Sequence, residues 1–104
     1  MESSPKDGKV TINQVSKNVI TVAIKGEDHT LGNVVRYLLL KNKQVEFAGY
    51  NIPHPSENVL HLRVQTKQDV DSKQVLVETL ETLKIICNSL EEKYKEELAR
   101  FMET

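Results

Sequence analysis

The sequence has few of the features that mark secreted, membrane-spanning or disulfide-bonded proteins. Its 104 residues include one cysteine, Cys87, so no disulfide can form within the chain. A single thiol fits a reducing compartment. No apolar run approaches the ~18 residues that a membrane span requires, and residues 1–8 lack the apolar stretch of a signal peptide. We therefore expect no membrane association, and we expect residues 1–8 to form a flexible tail.

The chain also lacks an excess of charge of one sign. It has 14 basic and 15 acidic residues and a formal net charge of -1. No basic field is present that would hold a phosphate backbone, and no glycine-rich phosphate loop occurs. We expect no autonomous nucleic-acid binding.

Hydrophobic residues are slightly scarce, at 38% of the chain. The length fits one domain, predicted over residues 9–104, and a domain of this size buries only a modest core. A lean core suggests that a partner completes the fold.

Four segments have the alternation or composition of strands: 10–15, 19–25, 45–52 and 59–66. Between the second and third, apolar residues recur at helical spacing (Leu31, Val34, Val35, Leu38, Leu39). Thr30 is the predicted N-cap of this helix, and Asn42 is its predicted end. Pro53 to Ser56 is predicted to be a rigid turn, because proline lacks the ladder donor.

From Ser72 to about Met102 there is no proline or glycine, and apolar residues recur every three or four positions. This pattern predicts one long amphipathic helix. Its stripe consists of Leu76, Leu80, Leu83, Cys87, Leu90, Tyr94, Leu98 and Phe101. The predicted fold is α+β with the order ββαββα, in which an antiparallel sheet carries both helices on one face.

The last helix is too long for the predicted sheet. About thirty helical residues span ~45 Å, whereas an eight-residue strand spans only ~26 Å. The helix therefore overruns the sheet by roughly 20 Å, and its apolar stripe continues to the end. Either the helix bends back or another chain covers the stripe, because so much apolar surface is rarely left in water.

The first helix carries a second strip, formed by Asn33, Arg36, Tyr37 and Leu40, that mixes polar and large apolar groups. Tyrosine and arginine are enriched in protein interfaces. The alternative is a tyrosine and a leucine at the edge of the core. The overhang of the last helix favours the interface.

Two blocks of sequence are specific enough to indicate a family. Residues 28–37 read Asp-His-Thr-Leu-Gly-Asn-Val-Val-Arg-Tyr, and residues 45–58 read Val-Glu-Phe-Ala-Gly-Tyr-Asn-Ile-Pro-His-Pro-Ser-Glu-Asn. The first block strongly resembles the signature helix of RNA polymerase alpha-like subunits. The second block, with Leu62 to Thr66, is similar to the eukaryotic and archaeal small alpha-like subunits, so that residues 19–66 carry the resemblance.

Within that family, the chain resembles the small subunit shared by polymerases I and III, through Arg36-Tyr37, Lys41-Asn42, Val45-Glu46-Phe47 and the run from Pro53 to Glu57. The family often has proline where this chain has Lys43, and some members carry a long acidic N-terminal extension that is missing here. The last helix is similar to that of the family in type but not in its amino-acid sequence.

The resemblance implies an alpha-subunit dimerisation-domain fold and a non-catalytic role. The small subunit would pair with a larger alpha-like subunit, and this heterodimer would seed assembly of the two large catalytic subunits in the nucleus, in both nucleolus and nucleoplasm. No cofactor is implied. The predicted subunit-interface residues are Leu31, Gly32, Asn33, Arg36, Tyr37, Leu40, Leu90, Tyr94, Leu98 and Phe101.

Three other interpretations remain open at this point: the equivalent subunit of polymerase II or an archaeal polymerase, a small enzyme that uses Cys87, and a homodimeric adaptor. Cys87 lies in the apolar stripe between Leu83 and Leu90, so a packed thiol is expected rather than a nucleophile. His29, His54 and His61 have no spacing typical of a zinc site.

Three residues of the two blocks have expected physical roles. Gly32 lacks a Cβ, and we expect another backbone to approach it closely. Arg36 could anchor a large subunit through carboxylates or carbonyl oxygens. Gly49 lies inside a strand pattern, which suggests a bulge or a close approach.

Overall fold

The computed structural model describes residues 10–54 and 56–103. The elements are β1 (Val10–Ser16), β2 (Val19–Lys25), α1 (His29–Leu40), β3 (Val45–Asn51), β4 (Val59–Thr66) and α2 (Ser72–Glu103). The predicted ββαββα order is confirmed. The tail expected over residues 1–8 lies outside the described residues.

The four strands form one antiparallel sheet in the order β1-β2-β4-β3. One face of the sheet, here called the helix face, packs against both helices. Its central residues pair across β2 and β4, as in Ile20 with Val64 and Val22 with Leu62. They form the core with Val35 and Leu39 of α1, Ala48 of β3, and Val75 and Leu76 of α2. Both helices therefore cover one face, as predicted.

The N-cap of helix α1 lies two residues earlier than the sequence indicated. The N-cap is Asp28, whose carboxylate accepts a hydrogen bond from the amide of Thr30 at 3.0 Å. The prediction of Thr30 as N-cap is wrong, because the aspartate two residues before it already satisfies that amide. At the other end the helix stops at Leu40 with Lys41 as C-cap, so Asn42 lies just beyond it.

The inward face of α1 is narrower than its apolar stripe. Val35 and Leu39 are buried and Leu31 and Leu38 are half-buried, but Val34 is 40% exposed. Val34 was predicted in the buried stripe and instead lies on the side of the helix that no other described element covers.

The start of α2 is docked against the turn between β1 and β2. Ser72 donates from both its amide and its hydroxyl to the carbonyl of Lys17, at 2.8 and 3.0 Å. The carboxylate of Asp71 accepts from the side-chain amide of Gln14 and from the amide of Lys73, each at 3.0 Å. These hydrogen bonds, that of Gln14 first, lower the pKa of Asp71. They fix where α2 leaves the sheet.

Beyond its first three turns, α2 has no contact that buries it. Its buried residues are Ser72, Val75, Leu76 and Thr79, and Leu83 is half-buried. Every residue from 84 to 103 is exposed, a length of ~30 Å at 1.5 Å per residue. The predicted overhang is confirmed. Cys87 lies in it and is exposed, so the prediction of a packed thiol is wrong for the chain alone.

None of the helices in residues 10–54 and 56–103 is both long enough and apolar enough to cross a membrane.

Candidate protein interface

Tyr50 of β3 forms hydrogen bonds with Asn33 and His29 of α1, and this set of contacts is here called the brace. The hydroxyl of Tyr50 donates to Oδ1 of Asn33 at 2.9 Å, and Nδ1 of His29 lies 3.1 Å from the same hydroxyl oxygen. Since the single hydroxyl proton goes to Asn33, His29 acts as the donor to Tyr50. The rings of His29 and Tyr50 meet edge to face, with centroids 5.6 Å apart.

Gly32 lies beneath the ring of Tyr50. A Cβ at this position would be 2.7–2.9 Å from three atoms of that ring. The close approach predicted at Gly32 therefore exists, but an aromatic ring makes it rather than another backbone. The brace holds α1 at a fixed position on the sheet, and with it the outer face of the helix.

The outer face of α1 presents the mixed strip predicted from the sequence. Asn33, Arg36, Tyr37 and Leu40 are all exposed, with Tyr37 at 60% and Leu40 at 48%. The ammonium of Lys41 lies 4.9 Å from the centre of the Tyr37 ring, a cation–π contact. No carboxylate within the described residues pairs with Arg36. Leu31 and Gly32 instead face inward.

The overhang of α2 presents the second group of predicted residues. Leu90 is 66% exposed, Tyr94 65%, Leu98 43% and Phe101 74%. Spaced at three and four positions, they lie on the side of α2 that continues the buried face of Val75, Leu76 and Thr79. The opposite side is charged and includes Glu92 and Glu96, and the Lys95–Glu91 ion pair at 3.5 Å lies between the two sides. The structure does not bring this stripe together with the outer face of α1.

Sequence reasoning missed apolar residues at the free edge of the sheet. Val10 and Ile12 of β1 pair with Ile24 and Val22, so they lie on the helix face, yet they are 53% and 54% exposed. Neither described helix extends over β1. Ile86, 47% exposed, also adjoins the α2 stripe. The alternation in residues 10–12 was the available signal, but it does not reveal which edge of the sheet the helices leave open.

The exposed residues of α1 and α2 offer packing surfaces. Within the part of the chain that the structure describes, no three histidine, cysteine or carboxylate groups lie close enough together to hold a metal ion. Cys87 is on the overhang, while the three histidines belong to the start of α1, the β3–β4 turn and β4.

Comparison with known proteins identifies one family. The family model of the RNA polymerase Rpb3/Rpb11 dimerisation domain matches residues 19–93. The chain is 46% identical over 81 residues to the subunit RPAC2 of DNA-directed RNA polymerases I and III from Schizosaccharomyces pombe, covering 78% of this chain and 65% of that protein. It is 47% identical over 72 residues to RPAC2 of Saccharomyces cerevisiae, covering 69% of this chain and 51% of that protein. The chain thus spans less than two thirds of either relative.

Among solved structures, subunit L of the DNA-directed RNA polymerase of Thermoplasma acidophilum has the same fold. The TM-score is 0.70 at 24% identity, and the match covers 93% of this chain and 97% of that one.

Proposed function

The chain belongs to the family of RNA polymerase Rpb3/Rpb11 dimerisation domains, and from that premise we propose that it is a non-catalytic assembly subunit of RNA polymerases I and III. It pairs with a larger alpha-like subunit, and the pair scaffolds the two large catalytic subunits for transcription of ribosomal and small RNAs. The assignment to polymerases I and III rests on the names of its relatives in the two yeasts and on residues 28–37 and 45–58.

The single observation that carries the proposal is the exposed stripe of α2. Leu90, Tyr94, Leu98 and Phe101 lie within the ~30 Å of helix, residues 84–103, that this domain leaves uncovered. Each such side chain contributes ~1.5–3 kcal/mol when it is buried. Burial of all four gives about 6–12 kcal/mol, which is comparable to the cost of association, so a partner that lies against this side of α2 would use the whole stripe.

The outer face of α1 has a different character, and we assign it to a large catalytic subunit. Arg36 is exposed and unpaired with any described carboxylate, and it lies beside Tyr37 on a helix that the brace fixes in place. A guanidinium held on a rigid helix can form bidentate hydrogen bonds to a carboxylate or to carbonyl oxygens. The two surfaces would serve two different partners at once.

Co-expression tests the pairing. The chain expressed alone should aggregate or self-associate through the α2 stripe, whereas co-expression with a larger alpha-like subunit should give a soluble 1:1 complex in sedimentation. A monodisperse monomer that gains nothing from that partner would contradict the proposal.

A native pull-down separates this reading from the equivalent subunit of polymerase II or of an archaeal polymerase. Mass spectrometry should find the large subunits of polymerases I and III with the tagged chain, in nucleolus and nucleoplasm. Recovery of polymerase II subunits would assign it to the other branch. A homodimeric adaptor would purify without any polymerase subunit.

A further inference from the structure

The second face of the sheet, opposite the helices, is uncovered and has an unusual charge distribution. Its residues follow from the strand register, in which Thr21 lies between Asn13 and Arg63, and Ala23 lies between Thr11 and His61. On β3, Gly49 pairs with Arg63 and Asn51 pairs with His61. The four strands contain one carboxylate, Glu46, which is the extra residue of the bulge between Val45 and Phe47.

The centre of this face is a depression. Its floor is made of small side chains, and Ala23 is only 4% exposed although no helix covers it. One wall is Phe47, whose ring bends over Gly49 so closely that a Cβ there would be 2.8 Å from the ring. The close approach predicted at Gly49 is thus made by this ring, while the bulge lies at Glu46. Asn13, Asn51, His61 and Arg63 line the depression with hydrogen-bonding groups.

The regularly paired charged residues of this face, Arg63 and Lys25, are both basic, and Glu46 lies at the bulge next to Phe47. Arg63 is exposed, and no carboxylate in residues 10–54 and 56–103 pairs with it. Lys25 projects from the same face, two positions beyond Ala23. Most acidic residues in the part of the chain that the structure describes lie instead on α2 and in loops.

We propose that this face is a second protein-docking surface, and that its occupant is an acidic segment of another protein. A carboxylate of the segment pairs with Arg63, with the amide of Asn13 as a further donor, and an apolar side chain fills the depression beside Phe47. Single-stranded nucleic acid is the less favoured occupant. Affinity for a phosphate backbone comes mainly from lysine and arginine side chains that neutralise phosphates, and the strands supply only two permanent cations here, Lys25 and Arg63.

This surface is independent of the pairing proposed above, because it lies on the side of the sheet away from both helices. A variant that affects it should leave co-purification with the larger alpha-like subunit unchanged. Failure of one proposal is therefore distinguishable from failure of the other.

A photo-crosslinking phenylalanine derivative in place of Asn51, at the exposed rim of the depression, tests the proposal in the native assembly. We expect irradiation of the purified assembly to yield an adduct with a protein segment that contains carboxylates. The crosslink should be lost in the background of Arg63→Glu and kept in the background of Lys93→Glu, a matched charge reversal on the exposed side of α2. A synthetic peptide of the crosslinked segment should bind about tenfold more weakly to Arg63→Glu, and its Glu→Gln analogue should bind weakly to either form.

Four results would overturn the proposal: no adduct, an adduct with RNA, an adduct with a segment that lacks carboxylates, or an adduct and peptide affinity unaffected by Arg63→Glu.

Discussion

The brace between α1 and β3 predicts that the stability change caused by Gly32→Ala depends in sign on the ring of Tyr50. Gly32→Ala replaces a poor helix former by the best one, which should stabilise an unhindered helix by ~0.5–1 kcal/mol. In this protein the new Cβ would meet the Cδ2, Cε2 and Cγ atoms of Tyr50 at 2.7–2.9 Å, whereas ordinary contacts are 3.4–4 Å. The ring must shift, and it cannot shift freely because its hydroxyl is held by Asn33 and His29.

The energetic terms favour destabilisation. Overpacking of this kind costs ~1–3 kcal/mol, and loosening two partly exposed hydrogen bonds adds a few tenths to ~1 kcal/mol. After subtraction of the gain in helix propensity, Gly32→Ala should destabilise the protein by about 1–2 kcal/mol. The midpoint of thermal unfolding should fall by ~4–8 °C for each kcal/mol in a domain of this size.

A double-mutant cycle with Tyr50→Ala is the assay. Thermal unfolding of the four proteins, followed by circular dichroism, should show that Gly32→Ala destabilises the protein when Tyr50 is present and stabilises it when the ring is absent. If Gly32→Ala were stabilising with Tyr50 present, or had the same effect in both backgrounds, the packing of this ring on α1 would be refuted.

Three further predictions concern single residues. Asp28→Ala removes the N-cap of α1 and should cost ~1 kcal/mol in thermal unfolding, while Thr30→Ala, at the position that only donates its amide to that cap, should cost clearly less; equal costs would contradict the assignment. The lowered pKa of Asp71 contributes stability that is present above its unfolded pKa and is lost as pH falls through the folded value, below about pH 4. Gln14→Ala removes the largest cause of the lowered pKa and should reduce this loss of stability in acid titrations. An unchanged pH profile would contradict the prediction. Cys87→Ala should change the stability of the free chain by less than ~0.5 kcal/mol because the side chain is exposed and leave polymerase activity per assembled complex unchanged; loss of turnover in assembled enzyme would show that the thiol has a chemical role.

The fold was largely predictable because its elements are strongly periodic. Alternation in residues 59–66 and the uninterrupted stripe of α2 determined the element types, and helix length against strand length predicted the overhang. The errors occurred where local pattern and tertiary context compete. Thr30 is a good capping residue in isolation, but Asp28 caps the helix two residues earlier by accepting the amide of Thr30 itself, and only the backbone geometry decides between them.

The brace and the depression could not be derived from spacing alone. Tyr50 lies 17 residues from Asn33 and 21 from His29, and their contact depends on how α1 packs on β3. The exposure of Cys87 could not be derived from spacing either. Its place in the stripe predicted burial, but burial requires a surface opposite the stripe, and the sheet and α1 cover α2 only as far as Leu83.

The central claim is that the exposed stripe of α2 is the surface that pairs with the larger alpha-like subunit. Tyr94→Asp combined with Leu98→Asp puts two charges into that stripe, and unpaired charge in an apolar interface is heavily penalised. The matched control is Glu92→Lys combined with Glu96→Lys on the charged side of the same helix. Neither pair contacts the core, since all four residues are exposed.

A pull-down with the larger alpha-like subunit, with circular dichroism on both double variants, is the most direct measurement. We expect both variants to keep the sheet and α1. The stripe variant should lose binding and fail to support assembly of polymerases I and III, while the control binds almost as strongly as the wild-type chain. Wild-type binding by the stripe variant, or an equal loss in the control, would show that the partner does not pack against this side of α2.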